Sequence, residues 1–107
     1  MEHKQTIKIK PLSVNKAWQG RRFKTKAYKS FESEMLLKLK PAKISGVDTV
    51  KFVFGVSSRL SDIDNPLKLT LDCLCKKYDF DDRDIYRLEV TKEIVAKGDE
   101  FIGIEIL

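Results

Sequence analysis

A chain of 107 residues, 42% hydrophobic and 35% charged, has room for one folded domain and no second core. The composition is not that of a disordered chain, no apolar run is long enough to cross a bilayer, and Met1-Glu2-His3-Lys4-Gln5 lacks the apolar stretch of a signal peptide, so a cytoplasmic protein without a membrane is expected. The net charge of +5 is lopsided: residues 1–43 hold 12 Lys/Arg against 3 Asp/Glu, residues 44–107 hold 9 against 13, and the basic part invites a polyanion such as nucleic acid unless its lysines only solvate exposed faces.

In chain order, Gln5–Lys10 alternates, with Ile7 and Ile9 on one side, and predicts a half-buried strand. Pro11-Leu12-Ser13 ends it, and Val14–Lys24 is a basic loop without clear periodicity. Thr25 is placed to cap a helix from Lys26 to about Leu39, whose Tyr28, Phe31, Met35 and Leu39 fall at helical spacing; Pro41 stops it. Val47–Val56 alternates again, with Val50, Phe52, Phe54 and Val56 on one face. The polar segment Ser57–Asp64 leads to a helix from about Pro66 to Lys77, with Asp64 or Asn65 as cap and Leu67, Leu71 and Leu74 as its core stripe. A strand over Ile85–Glu93 is expected to turn Tyr86, Leu88 and Val90 inward. Lys97-Gly98-Asp99 forms a turn, and Phe101–Leu107 a last strand that would make a hairpin with the one before. The order β-α-β-α-β-β predicts an α/β (α+β) domain over 1–107, a small mixed sheet packed on two helices.

Cys73 and Cys75 lie two apart in a predicted helix and so on different sides of it, which argues against a disulfide; with His3 far away in sequence, a zinc site lacks the necessary soft ligands. They read as reduced, buried small hydrophobes.

The residues that carry chemistry are acidic. Asp62 and Asp64 point the same way in an extended chain, and two adjacent carboxylates repel unless a cation lies between them; a hard cation such as Mg²⁺ suits them. Lys68 and Asp72 follow at four-residue steps along one edge of the helix, and Asp79, Asp81, Asp82 and Asp84 form a second acidic group. Each has a plain alternative: Asp64 or Asn65 as a cap, Asp62 as a loop residue, the second group as a solvated turn. A calcium loop is a poor match, because Leu67 and Cys73 stand where it needs Gly and Glu.

Taken in order, Asp62-Ile63-Asp64-Asn65 with Lys68 and Asp72 resembles the Asp-x-Asp-Asn-x-x-Lys-x-x-x-Asp signature of the RusA family of crossover junction endodeoxyribonucleases. Asp81-Asp82 stands where that family has its downstream acidic pair, and Pro11-Leu12-Ser13-Val14-Asn15-Lys16 is similar to its Pro-Pro-Ser-x-Asn segment, with Leu12 for the second proline and Pro66 after the Asn as departures. The resemblance covers nearly the whole chain. It implies a Holliday junction resolvase: a homodimer that makes paired cuts in a four-way DNA junction with Mg²⁺ or Mn²⁺. Asp62, Asp64 and Asp82 would then be metal-binding and catalytic, Lys68 also required, and Asp81 a supporting neighbour. Lys68 would either neutralise phosphate charge or orient the water.

A helix over Pro66–Lys77 would be roughly 18 Å long, and the five residues from there to Asp82 reach at most about 17 Å. Either the chain doubles back to bring Asp82 to Asp64, or the helix ends early, or the acids meet across a dimer. The expected DNA surface is Asn15, Lys16, Arg21, Arg22, Lys24, Lys26 and Lys29, with Trp18 either stacking on an unpaired base or anchoring the loop in the core. The alternative to an enzyme is a non-catalytic nucleic-acid-binding module of the same fold.

Overall fold

The computed structural model describes residues 3–13, 18–19 and 23–107, with only the backbone described for Trp18, Gln19 and Phe23. Within these lie β1 (His3–Ile7), β2 (Trp18–Gln19), β3 (Phe23–Lys24), helix α1 (Lys26–Lys38), β4 (Thr49–Val56), helix α2 (Leu67–Tyr78), a single 3₁₀ turn (Asp82–Asp84), β5 (Arg87–Ile94) and β6 (Phe101–Ile106). The main sheet runs β1-β6-β4-β5; β6 is antiparallel to both neighbours and β4 is parallel to β5. This is the small mixed sheet with two helices that the sequence predicts. The short β2–β3 pair is an addition within the loop that shows no periodicity in sequence.

Alternation builds one apolar face. Val50, Phe52 and Phe54 of β4 and Ile102, Ile104 and Ile106 of β6 are all buried, and in register they lie side by side. Tyr28, Phe31 and Met35 of α1 and Leu69, Leu71 and Leu74 of α2 pack onto them as one cluster. The Phe52 and Phe54 rings stack with centroids 5.5 Å apart. Truncating either to Ala would cost roughly 3–5 kcal/mol, a large share of the stability of a domain this small. On the opposite face the Phe101 ring lies over Gly55, where an added Cβ would come within 2.3 Å of it, so this position needs glycine for close packing.

The caps differ between the helices. Thr25 caps α1 as expected, its Oγ1 accepting from the Tyr28 N–H at 3.2 Å. Neither Asp64 nor Asn65 caps α2 with its side chain: Pro66 holds the N-cap position, Leu67 N–H donates to the Asp64 carbonyl, and Asn65 Nδ2 turns back to Asp62. The buried stripe of α2 is centred on Leu69, Thr70, Cys73 and Leu74, and Leu67 is only partly buried. Thr70 tolerates burial because its hydroxyl donates to the Pro66 carbonyl at 2.8 Å.

The expected β5–β6 hairpin does not form. β6, with three buried isoleucines, takes an interior place between β1 and β4, while β5, with Lys92 among its apolar positions, takes the edge beyond β4. The link between them crosses the end of β4, where Val95 N–H donates to the Val56 carbonyl. Tyr86 and Leu88, expected inward, are 88% and 40% exposed on this edge strand, where only Val90 of the three packs against the core. A polar clasp closes the other side: Gln5 Nε2 donates to Tyr78 Oη (2.8 Å), Tyr78 Oη donates to the Lys40 carbonyl (2.7 Å), and Gln5 Oε1 accepts from Lys40 N–H (3.0 Å). It fixes the end of α2 on β1. Among the described residues no helix is long and apolar enough to cross a membrane.

Candidate functional site

The segment 57–66 leaves the C-terminal end of β4 and delivers the chain to α2. Lys92 of β5 straps it down, its Nζ donating to the carbonyls of Ser61 (2.8 Å) and Arg59 (3.2 Å). Asp62 and Asp64 on this strap are exposed. Asp62 accepts a hydrogen bond from Asn65 Nδ2 at 3.1 Å, which fixes its carboxylate relative to the start of the helix.

Lys68 is the centre of the second cluster. Its ammonium meets Asp72 Oδ1 at 3.1 Å, one turn along α2, and Asp82 Oδ2 at 2.8 Å. The helix ends at Tyr78, Asp79 adopts a left-handed conformation (φ 55°) that reverses the chain, and the 3₁₀ turn brings Asp82 back alongside α2. Asp82 therefore reaches the first turns of α2 within its own chain, because the segment doubles back. Asp81 is spent locally: its carboxylate accepts from Arg83 N–H at 3.0 Å and caps the 3₁₀ turn.

Hydrogen bonds donated to Asp82 and then to Asp72 raise the Lys68 pKa well above the usual lysine value, so the ammonium stays charged. The same bond from Lys68 holds the Asp82 carboxyl below the usual carboxylate range. Behind them Tyr28 is buried and its phenol pKa is pushed up to about 12, by burial first and by the Asp72 charge second. Cys73 is buried, with its pKa raised to about 12 by burial; Cys75 is partly buried, its pKa raised to about 11 by burial and then by the Asp82 charge. Both are free thiols.

Lys68, Asp72 and Asp82 thus come together, and Asp62 joins Asn65. Among the described residues no three His, Cys, Asp or Glu side chains gather closely enough to hold a metal ion, so Asp62, Asp64 and Asp82 do not form a three-carboxylate cage. The donors that are present are oxygens with open access, which suits a hard cation held by one or two carboxylates, water and a substrate phosphate. A cavity of about 170 Å³ borders Asp62, Asn65 and Pro66. A larger one of about 480 Å³, between Pro11-Leu12, Phe31 and Ser57-Ser58, lies to the side of the acids.

Of the expected DNA-binding residues, Asn15, Lys16, Arg21 and Arg22 lie outside the described residues. Lys24 is engaged within the chain: its Nζ meets Glu32 at 3.1 Å and lies 4.8 Å from the Tyr28 ring centroid. Burial opposes the Glu32 charge, yet hydrogen bonds from Lys24 and Lys76 outweigh it and its pKa ends below the usual value. Lys26 and Lys29 are exposed on α1 and make no ion pair among the described residues. Sequence reasoning misses Lys92. Its signal is a lysine on the apolar-alternating side of a strand, after Leu88 and Val90, where a charge needs a built partner. Comparison with protein families and with curated proteins found no family model and no relative that matches the chain.

Proposed function

We propose that the chain is a metal-dependent endodeoxyribonuclease that resolves four-way DNA junctions by paired phosphodiester hydrolysis, acting as a homodimer with Mg²⁺ or Mn²⁺. The observation that carries this reading is Lys68, an ammonium held between Asp72 and Asp82 at the head of a helix that directly follows the exposed Asp62 and Asp64. These are the residues that resemble the crossover-junction signature, and the downstream aspartate meets Lys68 through space.

The parts have separable roles. The bonds to Asp82 and Asp72 favour the charged ammonium, which fits donation to a phosphate oxygen and the balancing of negative charge as the leaving group departs. Asp72 and Asp82 aim it and are displaced in part when phosphate arrives. Asp62 and Asp64 would hold the divalent ion, with Asn65 orienting Asp62. When bound, such an ion supplies charge neutralisation at the phosphate and a more acidic water. Lys26 and Lys29, with the basic segment 14–24, are the candidate contacts to the DNA backbone.

One observation favours a second reading. The Asp82 charge is already matched by Lys68 and no three-carboxylate cage forms among the described residues, as in a non-catalytic DNA-binding module. The deciding experiment is cleavage of a mobile four-way junction in Mg²⁺, beside a gel shift in EDTA, for wild type and Asp64→Asn. The proposal expects the variant to lose cleavage and to bind as tightly as wild type or more so, since one negative charge beside the phosphate is gone. Cleavage by Asp64→Asn at near wild-type rate would overturn the role given to Asp64, and a wild-type protein that binds junctions and never cuts them would establish the binding module instead.

A further inference from the structure

The edge of the sheet is unfinished. β5 is the outermost strand, eight residues long, and no described residue pairs with its outer side. Arg87 and Val95 donate toward Asp48 and Val56 on the β4 side, so by alternation Leu88, Val90, Lys92 and Ile94 present their N–H and C=O groups outward. Such an edge is a template for another strand. Three exposed apolar side chains lie on this strand and its entry: Tyr86 is 88%, Leu88 40% and Ile94 55% exposed. Leu60, at 85%, lies on the strap that Lys92 ties to this strand. A concentration of this kind marks an interaction surface.

We propose that β5 pairs antiparallel with β5 of a second copy, about a two-fold axis through Val90, joining two sheets into one. This names the interface of the homodimer and rests on that part of the proposed function. The register follows from parity and charge. A two-fold axis perpendicular to the sheet keeps each residue on its own face, so the axis must pass through a residue rather than between two. Centred on Val90, it sets Arg87 opposite Glu93, Glu89 opposite Thr91 and Tyr86 opposite Ile94, and uses nearly the whole strand. Centred on Thr91 it would set Glu89 opposite Glu93, and centred on Glu89 it would oppose that residue to its own copy. Both put like charges face to face. Glu93 has no ion pair among the described residues, whereas Glu89 is met by Lys51 at 3.3 Å and Arg87 at 3.6 Å. The free carboxylate is the one that the Val90 register supplies with an arginine, twice over by symmetry.

Sedimentation equilibrium of the full chain without DNA tests this, with circular dichroism to verify folding. Wild type is expected at about twice 12.4 kDa. Arg87→Glu and Glu93→Arg each oppose like charges at two symmetric positions and are expected to weaken the dimer about tenfold or more. The double variant Arg87→Glu/Glu93→Arg restores the pairing and is expected to recover it. Single variants that dimerise like wild type would overturn the β5 interface while leaving the homodimer standing. A monomeric wild type would overturn both, and the charges on β5 would then be guards against association. Cleavage by Asp64→Asn and wild type is read separately, so failure of the nuclease reading is distinguishable from failure of the interface.

Discussion

Replacing Lys68 by Met separates a catalytic role from a structural one, because the two predict effects of different size. The side chain is 62% exposed and its partners Asp72 and Asp82 are about as open to solvent as a surface pair usually is, at 37% and 38%. Methionine keeps the apolar stem and the helix propensity, so stability should change by no more than about 0.5 kcal/mol. At this chain length that is a melting shift of about 4 °C or less. A positioned cation beside a reacting phosphate is a different matter: removing one preorganised electrostatic donor typically lowers the rate about 10²–10³-fold. Two carboxylates would also be left unbalanced next to an incoming polyanion. The assay is single-turnover cleavage of a four-way junction at saturating protein, with thermal melting in the same buffer. Lys68→Arg keeps the charge but spreads it over a planar fork, and should retain an intermediate rate. A Lys68→Met protein that cuts within about threefold of wild type would remove Lys68 from the chemistry. One that melts more than about 8 °C lower, with activity lost in step, would make it a structural residue.

Other outcomes follow from the same geometry. The Asp82 carboxyl should titrate below its usual 3.8 when followed by NMR and return toward it in Lys68→Met; the pairing is complete above that value and is lost as pH falls through the depressed one, so this ion pair loosens only below about pH 4. Tyr78→Phe breaks two hydrogen bonds of the clasp to Gln5 and Lys40 and should cost about 1–2 kcal/mol in denaturant melts, with α2 loosened at its far end. Cys73 and Cys75, with pKa values near 12 and 11, should react with iodoacetamide at pH 8 far more slowly than a free thiol, and fast labelling would refute their burial. Replacing Arg21 and Arg22 by Ala should flatten the salt dependence of junction binding by about 0.9 in slope for each phosphate that is no longer neutralised; an unchanged slope would place the DNA elsewhere.

What the sequence disclosed was local. Tyr28, Phe31, Met35 and Leu39 announce α1 because helical spacing and burial coincide there, and Thr25 caps it because a β-region threonine before an apolar stripe has one good use. Val50, Phe52 and Phe54 announce β4 in the same way. What escapes the sequence is non-local. Strand order depends on which apolar faces compete for interior positions, and the isoleucines of β6 outrank the mixed side of β5, which no single strand reveals. Periodicity alone turns Tyr86 and Leu88 inward, but it says which side a residue is on and not whether a helix covers that side. At the site, Lys68 and Asp72 are legible as an i,i+4 pair. The reach of Asp82 to Lys68 is not, because it depends on the left-handed Asp79, a conformation that a non-glycine residue seldom adopts.

The location of the acids follows from the connection they sit in. Parallel strands cannot be joined by a tight turn, so β4 and β5 require a crossover, and α2 is that crossover. In such units ligands bind beyond the C-terminal ends of the strands, where the connection departs. The strap 57–66 occupies that place, and Lys92 of the second strand reaches back to hold it, so the strand pair fixes the loop it generates. The start of α2 has no side-chain cap; Leu67 N–H is met by the Asp64 carbonyl, and the positive dipole end of the helix lies in the turn that carries Lys68. A helix stop in the left-handed region then returns Asp82 to the same end. An exposed acidic pair, a fixed ammonium and the aspartate that returns to it are thus carried by one β-α-β unit. None of the three is needed to bury the core, which is carried by Leu69, Leu71, Cys73 and Leu74 on the other side of α2. That separation lets Asp64 or Lys68 be replaced with the fold intact, and it makes the cleavage of a four-way junction by such variants a test of chemistry rather than of folding.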